Sequence, residues 1–333
     1  MNNYIKFLRK KIGDEVLGLL IILLLVGMIF SFTNSQFLTA ANFNSIAFQL
    51  PVLGLLTLAM LAPLLHAGLN LAIIYQANLC GLTLAWFLNM DGGVDASIMT
   101  FFVGVIAALI VGAVTGLVMG LVIAYVGAHP ILVSLAMMIF LRGVGVFLTS
   151  GGDISGFPEI MAPIGHGLIM GIPIPLIIFG FIALIWHVVL NSTRHGFSVY
   201  MIGSNVEATD FAGAHTKRTL TLIYTLSGVI CAIAGILMLA RFNSVRVGHG
   251  EALLLVTVLA CFLGGVDPFG GFGRVIPVVI ALIILQMLAS GLNLFGASQH
   301  LSTAVWGLCL ILVMVVRFFI IKYKIFTSEK SGG

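Results

Sequence analysis

Charge is scarce in this chain: of 333 residues, 15 are Lys or Arg and 11 are Asp or Glu, 8% in all against 60% hydrophobic. A soluble globular chain carries about 25% charged residues. So little polar surface cannot coat a body of this size, which excludes a soluble enzyme, a nucleic-acid binder and a disordered chain. Cysteine is sparse too. Cys80, Cys231, Cys261 and Cys309 each lie in an apolar stretch and form no Cys-x-x-Cys pair, so neither a disulfide framework nor a zinc site is indicated. They read as small packing residues.

Catalytic signatures are missing as well. There is no His-Glu-x-x-His, and the histidines at 66, 129, 166, 187, 195, 215, 249 and 300 are scattered, mostly near the ends of apolar stretches, where a structural role is the default. Nor is there a Gly-x-x-x-x-Gly-Lys-Ser/Thr loop to cradle phosphates. The chain is therefore not read as an enzyme, and no metal or cofactor is expected. If ATP drives it, another subunit must bind the nucleotide. Acidic residues are nearly absent from the apolar stretches, which is awkward for an ion-coupled carrier or channel, the competing class, because coupling needs a site that changes charge.

What the sequence does have is long uncharged runs and a mean hydropathy of +1.20. No acidic or basic residue falls between Glu15 and Asp91, and further charge-free stretches cover 96–141, 160–193, 219–240 and 275–316. About 20 apolar residues cross a bilayer. Dividing the runs at Gly, Pro, Asn and His clusters gives spans near 16–32, 51–66, 69–88, 98–126, 131–149, 172–190, 221–240, 252–266, 274–295 and 302–321. The expected fold is an all-α polytopic membrane protein of about ten transmembrane helices with both termini cytoplasmic. Residues 1–15 form a basic N-terminus, 16–321 the transmembrane domain, with a cytoplasmic loop at 191–219, and 322–333 a cytoplasmic tail.

The charges test this topology. Lys6, Arg9, Lys10, Lys11, Arg194, Lys217, Arg218, Arg274, Lys322, Lys324 and Lys330 fall on one side, while Asp91, Asp95, Asp153 and Glu159 fall on the other. Positive residues mark the cytoplasm. Arg241 and Arg246 fall on the wrong side and Arg142 falls inside a span. The N-terminal basic patch before 16–32 resembles a leader, but no small-residue cleavage site follows it, and a retained span is the expectation.

Spans 51–66 and 252–266 are short, and each runs into a Gly-containing reversal, His66 to Asn70 and Gly264 to Gly273. Their corresponding places in the two halves fit an internal repeat with broken helices beside a transport path, and equally tilted or re-entrant helices with structural glycines. Gly112, Gly116 and Gly120 lie four apart on the fourth span, extended by Ala108 and Ala124, a ridge that lets two helices approach closely. Neutral polar groups remain as candidates for lining a path for an uncharged polar solute: Gln49, Asn70, Gln76 and Asn78, then Gln286, Asn293, Gln299 and Ser302. Hydrogen bonding between helices explains them as well.

The loop 191–219 carries a local helix signal. Ser204 and Glu207 have capping-box spacing, Val206, Ala208, Phe211 and Ala212 form an apolar stripe, and Gly213 suits a left-handed stop. A helix of two turns needs something to pack against, the membrane body or a partner.

At this loop a family resemblance enters. Arg194-x-Gly196, then Ile202-Gly203-Ser204-Asn205-Val206-Glu207-Ala208 and Gly213, resembles the cytoplasmic coupling-loop signature of the ribose-type (simple-sugar) permeases of bacterial ABC importers. Gly112 to Arg142-Gly143, Leu263-Gly264-Gly265 with Gly270-Gly271-Phe272-Gly273, and Ser290-Gly291-Leu292-Asn293 are similar to further family motifs in order and spacing. Where the family has Gly-Gly-Ile-Asp-Leu-Ser-Val-Gly, this chain has Ala67-Gly68-Leu69-Asn70-Leu71-Ala72-Ile73-Ile74, and Thr209 replaces an alanine of the coupling helix. The resemblance implies an inner-membrane permease for a small neutral polar solute, most often a sugar. It further implies a second permease chain, same or sister, an ABC ATP-binding subunit and an extracytoplasmic solute-binding protein. Glu207 and Asp210 would then face the ATPase or cap the local helix, while Gly203 and Gly213 permit the turns.

Overall fold

Inside a bilayer no water receives a backbone N–H or C=O, and a helix pairs these groups within itself, so the uncharged runs become helices. The computed structural model describes residues 14–298 and 300–315. In chain order it contains α1 (Asp14–Thr33), α2 (Ala40–Leu65), α3 (Ile73–Met90), α4 (Ile98–Leu121), α5 (Pro130–Thr149), α6 (Met161–His166), α7 (Ile174–Ser192), α8 (Arg194–Ser204), α9 (Val206–Phe211), α10 (Thr216–Phe242), α11 (Leu253–Leu263), α12 (Val275–Leu294) and α13 (His300–Val315). Among the described residues, 7 helices are long and apolar enough to cross a membrane: α1, α2, α4 with its π-turn at Val122–Val126, α5, α7, α10 and α12. The 18-residue α3 and the shorter α11 and α13 occupy the remaining places where spans were expected. Lys6, Arg9, Lys10, Lys11, Gln299, Lys322, Lys324, Lys330 and the end of the last expected span lie outside the described residues.

The second span differs from expectation. It is not short but a 26-residue helix beginning at Ala40, capped by Thr39, whose side chain accepts from the Asn42 N–H. Asn42, Asn44 and Ser45 precede the span expected at 51–66. They continue the helix because Asn42 is engaged, donating to the Phe37 carbonyl and accepting from Ser290 Oγ. The expected likeness in length between this span and α11, which is 11 residues long, therefore fails.

Every residue from Leu50 to Leu65 is buried. An all-round apolar helix belongs in the middle of a bundle, and α2 is surrounded by α10, α7, α11 and α12. Peripheral helices turn apolar side chains outward instead, such as Leu132, Ile139, Phe140 and Phe147 on α5, as lipid-facing helices do. The glycine ridge of α4 packs on α10 as expected: a Cβ on Gly116 would lie 2.2 Å from the Tyr224 carbonyl oxygen, and one on Gly228 2.0 Å from that of Gly112. These backbones touch with no side chain between them.

Two pairs of short strands complete the fold: β1 (Ile154–Ser155) with β4 (Ser244–Val245), and β2 (Leu168–Ile169) with β3 (Ile172–Pro173). At the α3–α4 turn, the Ser97 N–H and the Thr100 hydroxyl hydrogen-bond Asp91 and hold its carboxyl below the usual carboxylate range. Gly116→Val should force α4 off α10 and cost about 3 kcal/mol. The expected result is a thermal midpoint several degrees lower for the detergent-solubilised protein, with Gly143→Ala, which faces open space, unchanged.

Candidate translocation path and coupling surface

Of the eight polar candidates, the seven that the structure describes separate into two groups. Gln49 on α2 and Gln286 on α12 hydrogen-bond at 2.9 Å and, with Asn293, line a cavity of about 250 Å³. Arg241, at the end of α10, and Ser302 and Trp306, on α13, complete its polar wall. The indole N–H of Trp306 is buried without a hydrogen-bond partner. Arg241 donates to the Phe48 carbonyl, which accounts for one of the arginines on the unexpected side. The other, Arg246, pairs with Asp153 at 3.8 Å.

Asn70, Gln76 and Asn78 do not line this cavity, and the side chains of Asn70 and Gln76 hydrogen-bond between helices, one of the two readings the sequence left open. Asn70 Nδ2 donates to Gln76 Oε1 at 3.0 Å and to Ser227 Oγ at 3.1 Å, while its Oδ1 accepts from the Ala72 N–H. Gln76 continues to Thr115, and Ser227 donates to the Ala59 carbonyl, tying α2, α3, α4 and α10 together. A neutral amide suits this fully buried position, since it both donates and accepts without bringing a charge. Asn78 donates to the Val247 and His249 carbonyls and so pins the segment 246–252 along α3.

At the far end of α2 the expected loop is two helices, α8 and α9. The cap of α9 is Asn205 rather than Ser204: its Oδ1 accepts from the Ala208 N–H at 2.9 Å, and Ser204 closes α8 instead. Ser204 is therefore the wrong partner for a capping box with Glu207. Gly213 adopts the left-handed conformation, φ +81°, as expected. Thr209 is buried, its hydroxyl on the Asn205 carbonyl, whereas Val206 and Phe211 point away from the protein, Phe211 with 92% of its surface exposed. The apolar stripe is thus not packed on the membrane body. Arg194, Glu207, Ala208 and Asp210 are exposed, with Asp210 accepting from Thr216, and Gly196 is buried against the end of α7.

Gly203 is where this surface meets the bundle. A Cβ there would sit 2.0 Å from the Leu65 carbonyl oxygen and 2.4 Å from the Gly271 nitrogen. Leu65 O itself accepts from the Gly271 N–H at 2.7 Å, and Tyr200 of α8 donates to the Gly273 carbonyl. The two glycine-containing reversals, one after α2 and one after α11, therefore touch each other beneath α8. Gln49 and Leu65 lie 16 residues apart on α2, about 24 Å at 1.5 Å per residue. The α8 contact is at the Leu65 end of α2, and the cavity lies beside its first half, where Gln49, Val52 and Leu53 face it.

A family model described as the permease component of the branched-chain amino acid transport system matches residues 42–314. The chain belongs to this permease family. Among curated proteins, the permease is 29% identical over 320 residues to the autoinducer 2 import system permease protein LsrD of Yersinia enterocolitica, covering 92% of each chain. It is 28% identical over 322 residues to the LsrD proteins of Yersinia pseudotuberculosis and Yersinia pestis, covering 93% of this chain and 92% of theirs. No solved structure matches it.

The sequence reading missed Trp306 and the cavity role of Arg241. Arg241 carried a signal, a cation on the unexpected side. Replacing Asn78 by Leu would leave two carbonyls without their donor, at about 1–3 kcal/mol. The expected outcome is a lower thermal midpoint and several-fold faster maleimide labelling of a Gly248→Cys reporter in the same background.

Proposed function

We propose that this permease is the membrane-spanning subunit of an ATP-driven importer in the inner membrane of a bacterium, carrying a small neutral polar, sugar-like solute. The observation that carries the reading is the seat of Gly203 against Leu65 and Gly271, which connects an exposed surface helix to both reversals of the bundle. Family membership supports the permease role, and relatives named as autoinducer 2 importers support a small polar solute.

In this reading α3, α11 and α13 complete ten crossings, residues 1–15 and 322–333 lie in the cytoplasm, and 191–219 is the coupling loop. An ATP-binding subunit grips Phe211, Val206 and Glu207, while Asn205 and Gly213 hold the knob in shape. A second permease chain, the same or a sister, completes the path, and an extracytoplasmic binding protein delivers the solute to the end where Gln49, Gln286 and Asn293 line the cavity. Closure of the ATPase pair displaces α8. Backbone contact at Gly203 leaves no slack, so the displacement passes to the ends of α2 and of the α11–α12 reversal, and the path opens to alternate sides. ATP hydrolysis belongs to the partner, not to this chain.

The test is recovery of the tagged protein from its native membrane in mild detergent, with its partners identified by mass spectrometry and ATPase activity measured. An ATP-binding subunit should come with it. ATP-driven uptake of autoinducer 2 or D-ribose should fall at least about tenfold in Glu207→Lys, with insertion unchanged. A chain recovered alone, with uptake that follows an ion gradient, would replace this reading with a secondary carrier.

A further inference from the structure

Arg142 is an exposed charge on a helix whose other outward residues are apolar. It lies 7 residues inside the Thr149 end of α5, about 10 Å along the axis. Its guanidinium carbon is 6.0 Å from the centre of the Tyr75 ring, and the Tyr75 hydroxyl donates to Glu251 Oε1 at 2.8 Å. Tyr75 is in the first turn of α3, 15 residues from the Met90 end, about 22 Å away. Glu251 reaches this depth because Asn78 pins the segment 246–252 along α3. The Tyr75 ring is buried, while Arg142 and Glu251 are exposed, and Arg142 makes no ion pair among the described residues.

Charged groups at such depth face a bundle interior or a water-filled path, because lipid cannot satisfy them. Here a fork of unpaired donors and a carboxylate with free lone pairs sit beside one phenol ring. Together they carry no net charge. A vicinal diol supplies both kinds of partner these groups need, one hydroxyl donating to the carboxylate and its neighbour accepting from the guanidinium. A cation or an anion would gain one charge and meet repulsion from the other.

We propose that Arg142, Tyr75 and Glu251 form a solute-binding station on the translocation path that takes a neutral polyhydroxylated molecule by its hydroxyl groups. It is distinct from the cavity at Gln49 and Gln286, and it rests on the importer reading above. Asn78 is its positioning residue.

The test measures KM and maximal rate separately for ATP-driven uptake of autoinducer 2 and D-ribose by the intact transporter, with Glu251→Gln, Arg142→Gln and Tyr75→Phe compared with the parent. Removing a hydrogen bond to a charged group should raise KM about tenfold or more in the first two and several-fold in the third. The partner subunits should be recovered with each variant. Unchanged KM in all three, with the complex intact, overturns the proposal. Loss of a second permease chain from Arg142→Gln overturns it too, in favour of a charge pair across the chain interface. Absence of ATP-driven uptake by the parent sinks the importer reading itself, and the station with it.

Discussion

Everything in this structure answers to one constraint: within the hydrocarbon layer, a polar group that the protein does not satisfy stays unsatisfied. Helices meet it for most of the backbone. The informative places are those where the chain leaves the helix and must find another solution. After α2 the chain reverses, and the Leu65 carbonyl takes the Gly271 N–H from the other reversal. After α10 it descends as 246–252, and the Asn78 amide supplies the donors that a helix would have supplied. The buried Asn70–Gln76–Ser227 chain obeys the same rule with side chains, and it uses neutral amides and a hydroxyl throughout.

The same constraint makes the bundle suited to transmitting movement. Where glycines bring backbones into contact, at Gly112 and Gly228 and again at Gly203 and Leu65, no flexible side chain can absorb a displacement. Protein interiors are packed densely enough that such contacts shift as units. α2 spans the distance between the two places, with Gln49 in the cavity wall in its first half and Leu65 under α8 at its far end.

Much of this was legible in the residues. Charge-free runs located the apolar helices, since a membrane span needs little more than length and apolarity. The spacing of Gly112, Gly116 and Gly120 announced a close helix contact on α4, because four residues return to the same helix face, and the fold made α10 the partner. Local rules were less secure at single positions. Ser204 and Asn205 are both good caps, and which one serves depends on where α8 ends. The span expected from residue 51 begins at Ala40, which went unread because the partners of Asn42, Phe37 and Ser290, were not visible as neighbours.

By itself the sequence determined that the protein lives in a membrane, roughly where its helices run, and that a polar segment with an apolar stripe projects from it. These follow from composition and from periodicity, which are properties of neighbours along the chain. Only the tertiary structure decided which polar groups serve which purpose. Gln49 meets Gln286 across 237 positions and Tyr75 meets Glu251 across 176, whereas Asn70 and Gln76, of the same residue types, are consumed in holding helices together. An amide is chemically the same in both roles. What it faces after folding separates them, and that is set by contacts too distant in sequence for any local pattern to record.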